Sequence, residues 1–178
     1  RDDLRDFKKL GRPRLFFGIS AGCMDSMVNK YTANKRLRSD DAYTPDARPD
    51  MRPEYPSIVY TQVLKKLYPD IPVVLGGIEA SMRQDKVRKS ILVDSGADLL
   101  IYGMGEKPLV ELAKRMQQQA DTGLPLQYDI SQIAYLCKTA EFVPEEGDIR
   151  LYSHEECLKD KKKQAANFRH IEEESNKY

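Results

Sequence analysis

The chain has 178 residues, enough for one domain plus an extension, with 32% charged and 40% hydrophobic residues. Its 29 Lys and Arg nearly balance 28 Asp and Glu, so no global field draws it to nucleic acid or a membrane surface. No apolar run approaches the roughly 20 residues of a membrane helix. The opening RDDLRDFKKLGRPR has neither a starting Met nor an apolar signal core, which reads as a start inside a longer protein.

Three widely spaced cysteines, Cys23, Cys137 and Cys157, fit a reducing cytoplasm better than an extracellular disulfide scaffold. With only His154 and His170, a protein-only zinc site is poorly supplied, so no metal ligands are assigned.

The first element is the aromatic, β-branched run Arg14 to Ser20, a buried strand that turns at Ala21-Gly22. Asp25 or Ser26 then caps a short helix toward Tyr31. Residues 32–56 lose periodicity and hold four prolines, five acids and five bases, a long polar loop. A helix follows, with Val59, Val63, Leu64 and Leu67 on its apolar face. Ile71 to Leu75 is a strand closed by Gly76-Gly77, and 97–102 a second one closed by Gly103-Met104-Gly105. A helix over 86–94 lies between them. Pro108 suits a first helical turn, and Leu109, Leu112, Ala113 and Met116 repeat at helical spacing. Weaker strand candidates are 130–137 and 148–152. Ser153 to Glu156 spells a capping box, and the Lys- and Glu-rich run to Tyr178 shows only a narrow stripe, Leu158, Ala165, Phe168 and Ile171. Alternating strands and helices imply a doubly wound, mostly parallel, Rossmann-like α/β sheet with a C-terminal helical extension.

In such sheets ligands bind outside the carboxyl ends of the strands. The small and polar residues there are Ser20, Gly22, Asp25, Gly76, Gly77, Glu79, Ser81, Gly103, Gly105 and Glu106, the candidate ligand-binding set. Glycine lets a backbone approach a ligand closely, although it equally makes tight turns. Glu79 and Glu106 read as paired carboxylates, or as caps and partners of Arg83 and Lys107. Cys23 reads as a buried, inert thiol rather than a nucleophile. In the loop, Arg36, Arg38, Asp40, Asp41, Tyr43, Arg48 and Asp50 interleave both charges with an aromatic. They either close over a polar ligand or contact RNA, or form internal ion pairs in a solvated loop. Neither GxGxxG nor GxxxxGK(S/T) occurs, so nothing points to a dinucleotide or P-loop site.

Several stretches taken together resemble one family: Pro13 to Met27, Tyr31-Thr-Ala, Asp40 to Pro45, Arg52-Pro53, Val74 to Ser81, Ser90 to Asp94, Ala97-Asp98 and Tyr102 to Glu106. This is similar to the N-terminal domain of the YgiQ-type radical-SAM proteins, densely over residues 5–116 and loosely beyond. The resemblance implies a cobalamin-binding-like α/β domain over 1–125, and over 126–178 a strand-plus-helix extension toward a radical-SAM barrel of the same polypeptide. In that barrel a CxxxCxxC motif would hold a [4Fe-4S] cluster and S-adenosylmethionine. Here the cysteines are too far apart for that motif, so no cofactor is expected on this chain itself.

The resemblance also has departures. A strand-helix segment precedes the family's counterpart of Arg1. An aromatic, histidine-containing insertion usually separates the counterparts of Arg83 and Asp85, where this chain has only Gln84. The DxHxxG motif that supplies an axial histidine to cobalamin is missing. The leading expectation is an accessory domain that positions a substrate of unknown identity for a radical-SAM enzyme. A non-enzymatic module that binds RNA or a protein, and a cobalamin-binding domain, are the alternatives.

Overall fold

A computed structural model describes residues 4–23, 26–81, 89–137, 143 and 145–175. By internal contacts the chain forms two units, residues 1–83 with 90–136, and residues 84–89 with 137–178.

The first unit opens with a short helix α1 (Arg5–Lys8) and is built on four short strands: β1 (Phe17–Ile19), β2 (Val73–Leu75), β3 (Leu99–Ile101) and β4 (Ile133–Tyr135). They lie in the order β1-β2-β3-β4; the first three are parallel, and β4 is antiparallel to β3. Successive residues of β2 face opposite layers. Val73 and Leu75 join Leu64 of α3 (Pro56–Leu67) and Ile91 and Leu92 of α5 (Ile91–Ser95). Val74 joins Leu99, Ile101 and the Leu112 and Met116 of α6 (Glu106–Thr122). Helices therefore cover both faces, as the doubly wound reading requires, and β2 is apolar throughout because it is buried on both sides. Asp98 ties two layers together: its carboxylate accepts the Val73 N–H at 2.7 Å and the Lys65 ammonium at 3.0 Å.

Of the apolar stripe expected on α3 only Leu64 is fully buried, with Val63 and Leu67 half-buried. Ser57, Thr61 and Leu64 turn inward with Pro56, while Val59 stays 37% exposed. Burial of those hydroxyls is possible because each has a partner: Ser57 Oγ donates to Glu79 and Thr61 Oγ to the Ser57 carbonyl, 2.7 Å away. In α6, Leu112 and Met116 are buried as expected and Pro108 is buried with them, while Ala113 is half-buried and Leu109 exposed. Of the helix expected over 86–94 only the later part is observed, as α5: Lys89 and Ser90 are not helical, Ser90 caps the helix, Gly96 closes it in the left-handed region, and 86–88 lie outside the described residues. After α6, Arg115 fastens the return to β4 by donating to the Gln127 carbonyl at 3.2 Å and pairing with Asp129. Residues 126–136, which the sequence reading groups with the extension, sit in the first unit because β4 completes its sheet.

The second unit contains α7 (His154–Lys159) and α8 (Lys161–Ser175). The capping box is formed: Ser153 Oγ accepts from the Glu156 N–H at 3.2 Å, and Glu156 accepts from the Ser153 N–H at 3.0 Å. Asp160 leaves helical geometry between the two helices and accepts the Lys162 N–H at 2.9 Å. The expected strand over 148–152 does not form. Its start is a turn, with Asp148 N–H on the Glu145 carbonyl, and its end is held by a side chain, since Asn167 both accepts the Tyr152 N–H and donates to the Tyr152 carbonyl. Leu158, Ala165, Phe168 and Ile171 are all exposed.

Candidate functional site

The carboxyl ends of β1, β2 and β3 meet at one rim. The Gly76 N–H donates to the Ile19 carbonyl at 2.9 Å, and a Cβ on Gly76 would stand 3.8 Å from the Ile101 carbonyl oxygen. Gly77 has φ +86°, and a Cβ there would stand 2.5 Å from Ser20 Oγ. Glycine therefore suits the backbone angle, and a Cβ there would force the Ser20 hydroxyl to swing away. Ser20 Oγ in turn accepts the Gly22 N–H at 3.3 Å.

Glu79, on the single turn α4 (Ile78–Ser81), is the centre of this rim. Its Oε2 accepts Ser57 Oγ–H at 2.6 Å and the Ser57 N–H at 3.3 Å, and its Oε1 accepts Ser26 Oγ–H. Ser57 stands in the first turn of α3, where backbone N–H groups lack intrahelical partners, so the carboxylate caps that helix. Ser26 opens α2 (Ser26–Lys30) and lies 3.5 Å from Cys23 Sγ. Since the Ser26 hydrogen goes to Glu79, the Cys23 thiol is the donor between those two. Cys23 Sγ then accepts from Arg52 Nη1 at 3.1 Å. Arg52 grips Asp41 through Nε at 2.9 Å and Nη2 at 3.1 Å. A directed chain of donors thus runs from Arg52 through Cys23 and Ser26 to Glu79.

This chain fixes the long loop. Burial pushes the Asp41 carboxyl up, but the Arg52 guanidinium and the Tyr43 N–H outweigh it and hold Asp41 below the usual carboxylate range. Burial lowers the Arg52 guanidinium, and Asp41 with Cys23 more than restores it, so it stays charged. Tyr43 lays its ring against Arg52, 5.2 Å from the guanidinium carbon. Arg38 donates through Nε to the Val28 and Tyr31 carbonyls at the end of α2, at 2.8 and 3.1 Å. Lys30 pairs with Asp50 at 2.7 Å, and Tyr31 donates to Glu54 at 2.6 Å, a bond that raises the Tyr31 pKa. Arg48 pairs with Asp46 at 3.4 Å. Asp40 accepts from Ser39 at 3.4 Å, and the Arg36 side chain is exposed.

Of the expected rim residues, Ser20, Gly22, Gly76, Gly77 and Glu79 come together. Glu79 and Glu106 do not pair: the first is committed to Ser26 and Ser57, and the second is exposed in the first turn of α6. Gly105 is the residue before α6, and Gly103, at φ +67°, faces the Gln132 amide rather than the Glu79 cluster. Asp25 lies outside the described residues, and Ser81 is placed by its backbone at the end of α4. Ser26, Ser57 and Arg52 escaped the sequence reading as site residues. Nothing in their local pattern marks them, because their partners are 53, 22 and 11 residues away.

The cysteines do not suit an iron–sulfur cluster. Cys23 Sγ is bonded within the first unit, Cys157 Sγ lies 3.3 Å from Asn167 Nδ2 in the second, and Cys137 is exposed. Among the described residues, no three His, Cys, Asp or Glu side chains gather as a metal site. Nor is any described helix long and apolar enough to cross a membrane.

The whole sequence, residues 1–178, matches the family described as Radical SAM N-terminal. The chain belongs to that family. It is 70% identical to a UPF0313 protein of Bacteroides thetaiotaomicron, over all of this chain and 32% of the relative. A UPF0313 protein of Porphyromonas gingivalis is 64% identical, over all of this chain and 29% of the relative. The UPF0313 protein YgiQ of Escherichia coli K12 is 56% identical over 62% of this chain and 16% of the relative. The chain thus spans about a third of the first two relatives and less of the third. No solved structure matches it.

Proposed function

We propose that this domain positions a substrate or partner for a radical-SAM reaction whose cofactors sit elsewhere in the same cytoplasmic polypeptide. A [4Fe-4S] cluster with S-adenosylmethionine would supply the radical-generating chemistry there, outside the residues of this chain. The observation that carries the reading is the rim itself. The glycine-bearing ends of β1 and β2 and the stems of the long loop converge on Glu79, in the part of an α/β sheet where ligands bind. The loop's internal bonds favour this reading over RNA binding, because Arg52 is held by the buried Asp41, Arg48 pairs with Asp46 and Arg38 donates to backbone carbonyls.

The test is anaerobic reconstitution of the full polypeptide with iron and sulfide, followed by assay for 5′-deoxyadenosine. Cleavage of S-adenosylmethionine that persists in Arg52→Ala while turnover of substrate falls supports a positioning role. Absence of cleavage in the reconstituted wild type rejects the enzyme reading. Tight, salt-dependent binding of RNA by the same protein would replace it.

A further inference from the structure

The loop at 32–56 contains no glycine, yet Lys35, Asp46, Ala47 and Asp50 all have φ between 52° and 58°. L side chains adopt that region at a cost, so the loop needs anchors to keep this shape. Asp41 with Arg52 anchors its middle, and Lys30 with Asp50 its later half. The two stems are anchored differently. Ser26 begins the helix that leads into the loop, Ser57 stands in the first turn of the helix that leaves it, and both donate to the one carboxylate of Glu79.

We infer that Glu79 is a latch: its carboxylate holds both stems of the loop at once, so that loop order is controlled from the turn that follows β2. The inference goes beyond the proposed function and does not depend on it. Ser26 joins the stem bond to the donor chain through Cys23 to Arg52, so release of Glu79 is transmitted to the Asp41 anchor as well. Glu79 is thus a positioning residue for a segment it does not belong to.

Amide hydrogen exchange on the full polypeptide tests this. The loop amides to follow are hydrogen-bonded ones: Thr32, Lys35, Arg38, Asp41, Thr44, Ala47 and Arg48, each donating to a backbone carbonyl, and Tyr43, which donates to the Asp41 carboxylate. Glu79→Gln is expected to raise their exchange about tenfold, the loss of a charged hydrogen-bond acceptor, with the amides of α6 unchanged. Ser57→Ala is expected to give part of the same rise, and Glu79→Gln with Ser57→Ala no more than Glu79→Gln alone. Should Glu79→Gln fail to fold, Ser26→Ala and its combination with Ser57→Ala carry the same comparison. Unchanged loop exchange, an equal rise in α6, or full additivity of the pair each overturns the latch.

Discussion

Arg52 meets Asp41 edge to edge, Nε 2.9 Å from Oδ2 and Nη2 3.1 Å from Oδ1, while its third nitrogen reaches Cys23 Sγ at 3.1 Å. One guanidinium thereby joins the middle of the long loop to the turn after β1. Asp41 is 6% exposed, so neither charge can be deleted without stranding the other.

Arg52→Ala is therefore expected to destabilise the domain by about 3 kcal/mol, in the range for breaking a buried pair. Arg52→Lys should also lose stability, because an ammonium cannot fork across both oxygens. The double replacement Asp41→Leu with Arg52→Met should cost less than either single deletion. Urea unfolding of the four proteins measures this, and an additive double variant would contradict a coupled pair.

Cys23 acts as a relay, accepting from Arg52 and donating to Ser26. Cys23→Ser keeps both capacities, whereas Cys23→Ala keeps neither and leaves Arg52 Nη1 without that acceptor. Cys23→Ala is expected to lose about 1–2 kcal/mol and Cys23→Ser less than half of that. Thermal unfolding of the pair checks the order; equal losses would mean that the thiol matters only as volume.

At the rim, Gly77→Ala and Gly22→Ala separate backbone angle from crowding. Both glycines have positive φ, but a Cβ meets Ser20 only at position 77. Each substitution should cost about 1–2 kcal/mol for the angle, with Gly77→Ala the more damaging. In Gly77→Ala the added loss should shrink when Ser20 is also replaced by Gly, which denaturant unfolding would show.

In the second unit, the Lys163 ammonium and the two Ser153 donors hold the Glu156 carboxyl down to about 2. A depressed carboxylate contributes stability above its unfolded value and loses it as pH falls toward the folded one. The α7–α8 pair should therefore weaken between about pH 4.5 and 2. Glu156→Gln is expected to flatten that part of the acid titration. A carboxyl titration by NMR with a midpoint near the ordinary glutamate range would refute the assignment.

The parallel strands were legible because apolar runs such as Val73-Val74-Leu75 end in glycine, and a strand buried on both faces permits little else. The capping box at Ser153 was equally local, four residues that satisfy one another. The face of α3 was not. Periodicity favoured Val59 and Val63, but the interior accepts Ser57 and Thr61 because Glu79 and a backbone carbonyl satisfy their hydroxyls. The expected strand over 148–152 failed for a related reason, since the Asn167 side chain takes up the Tyr152 backbone groups. Sequence alone determined the layer order, the glycine-rich rim and the family, all of which rest on local pattern. Only tertiary structure decided that Glu79 serves Ser26 and Ser57 rather than Glu106, and that Arg52 serves Asp41 and Cys23. A hydrogen bond across 53 residues leaves no period in a sequence; it exists only once the sheet has brought its strand ends together.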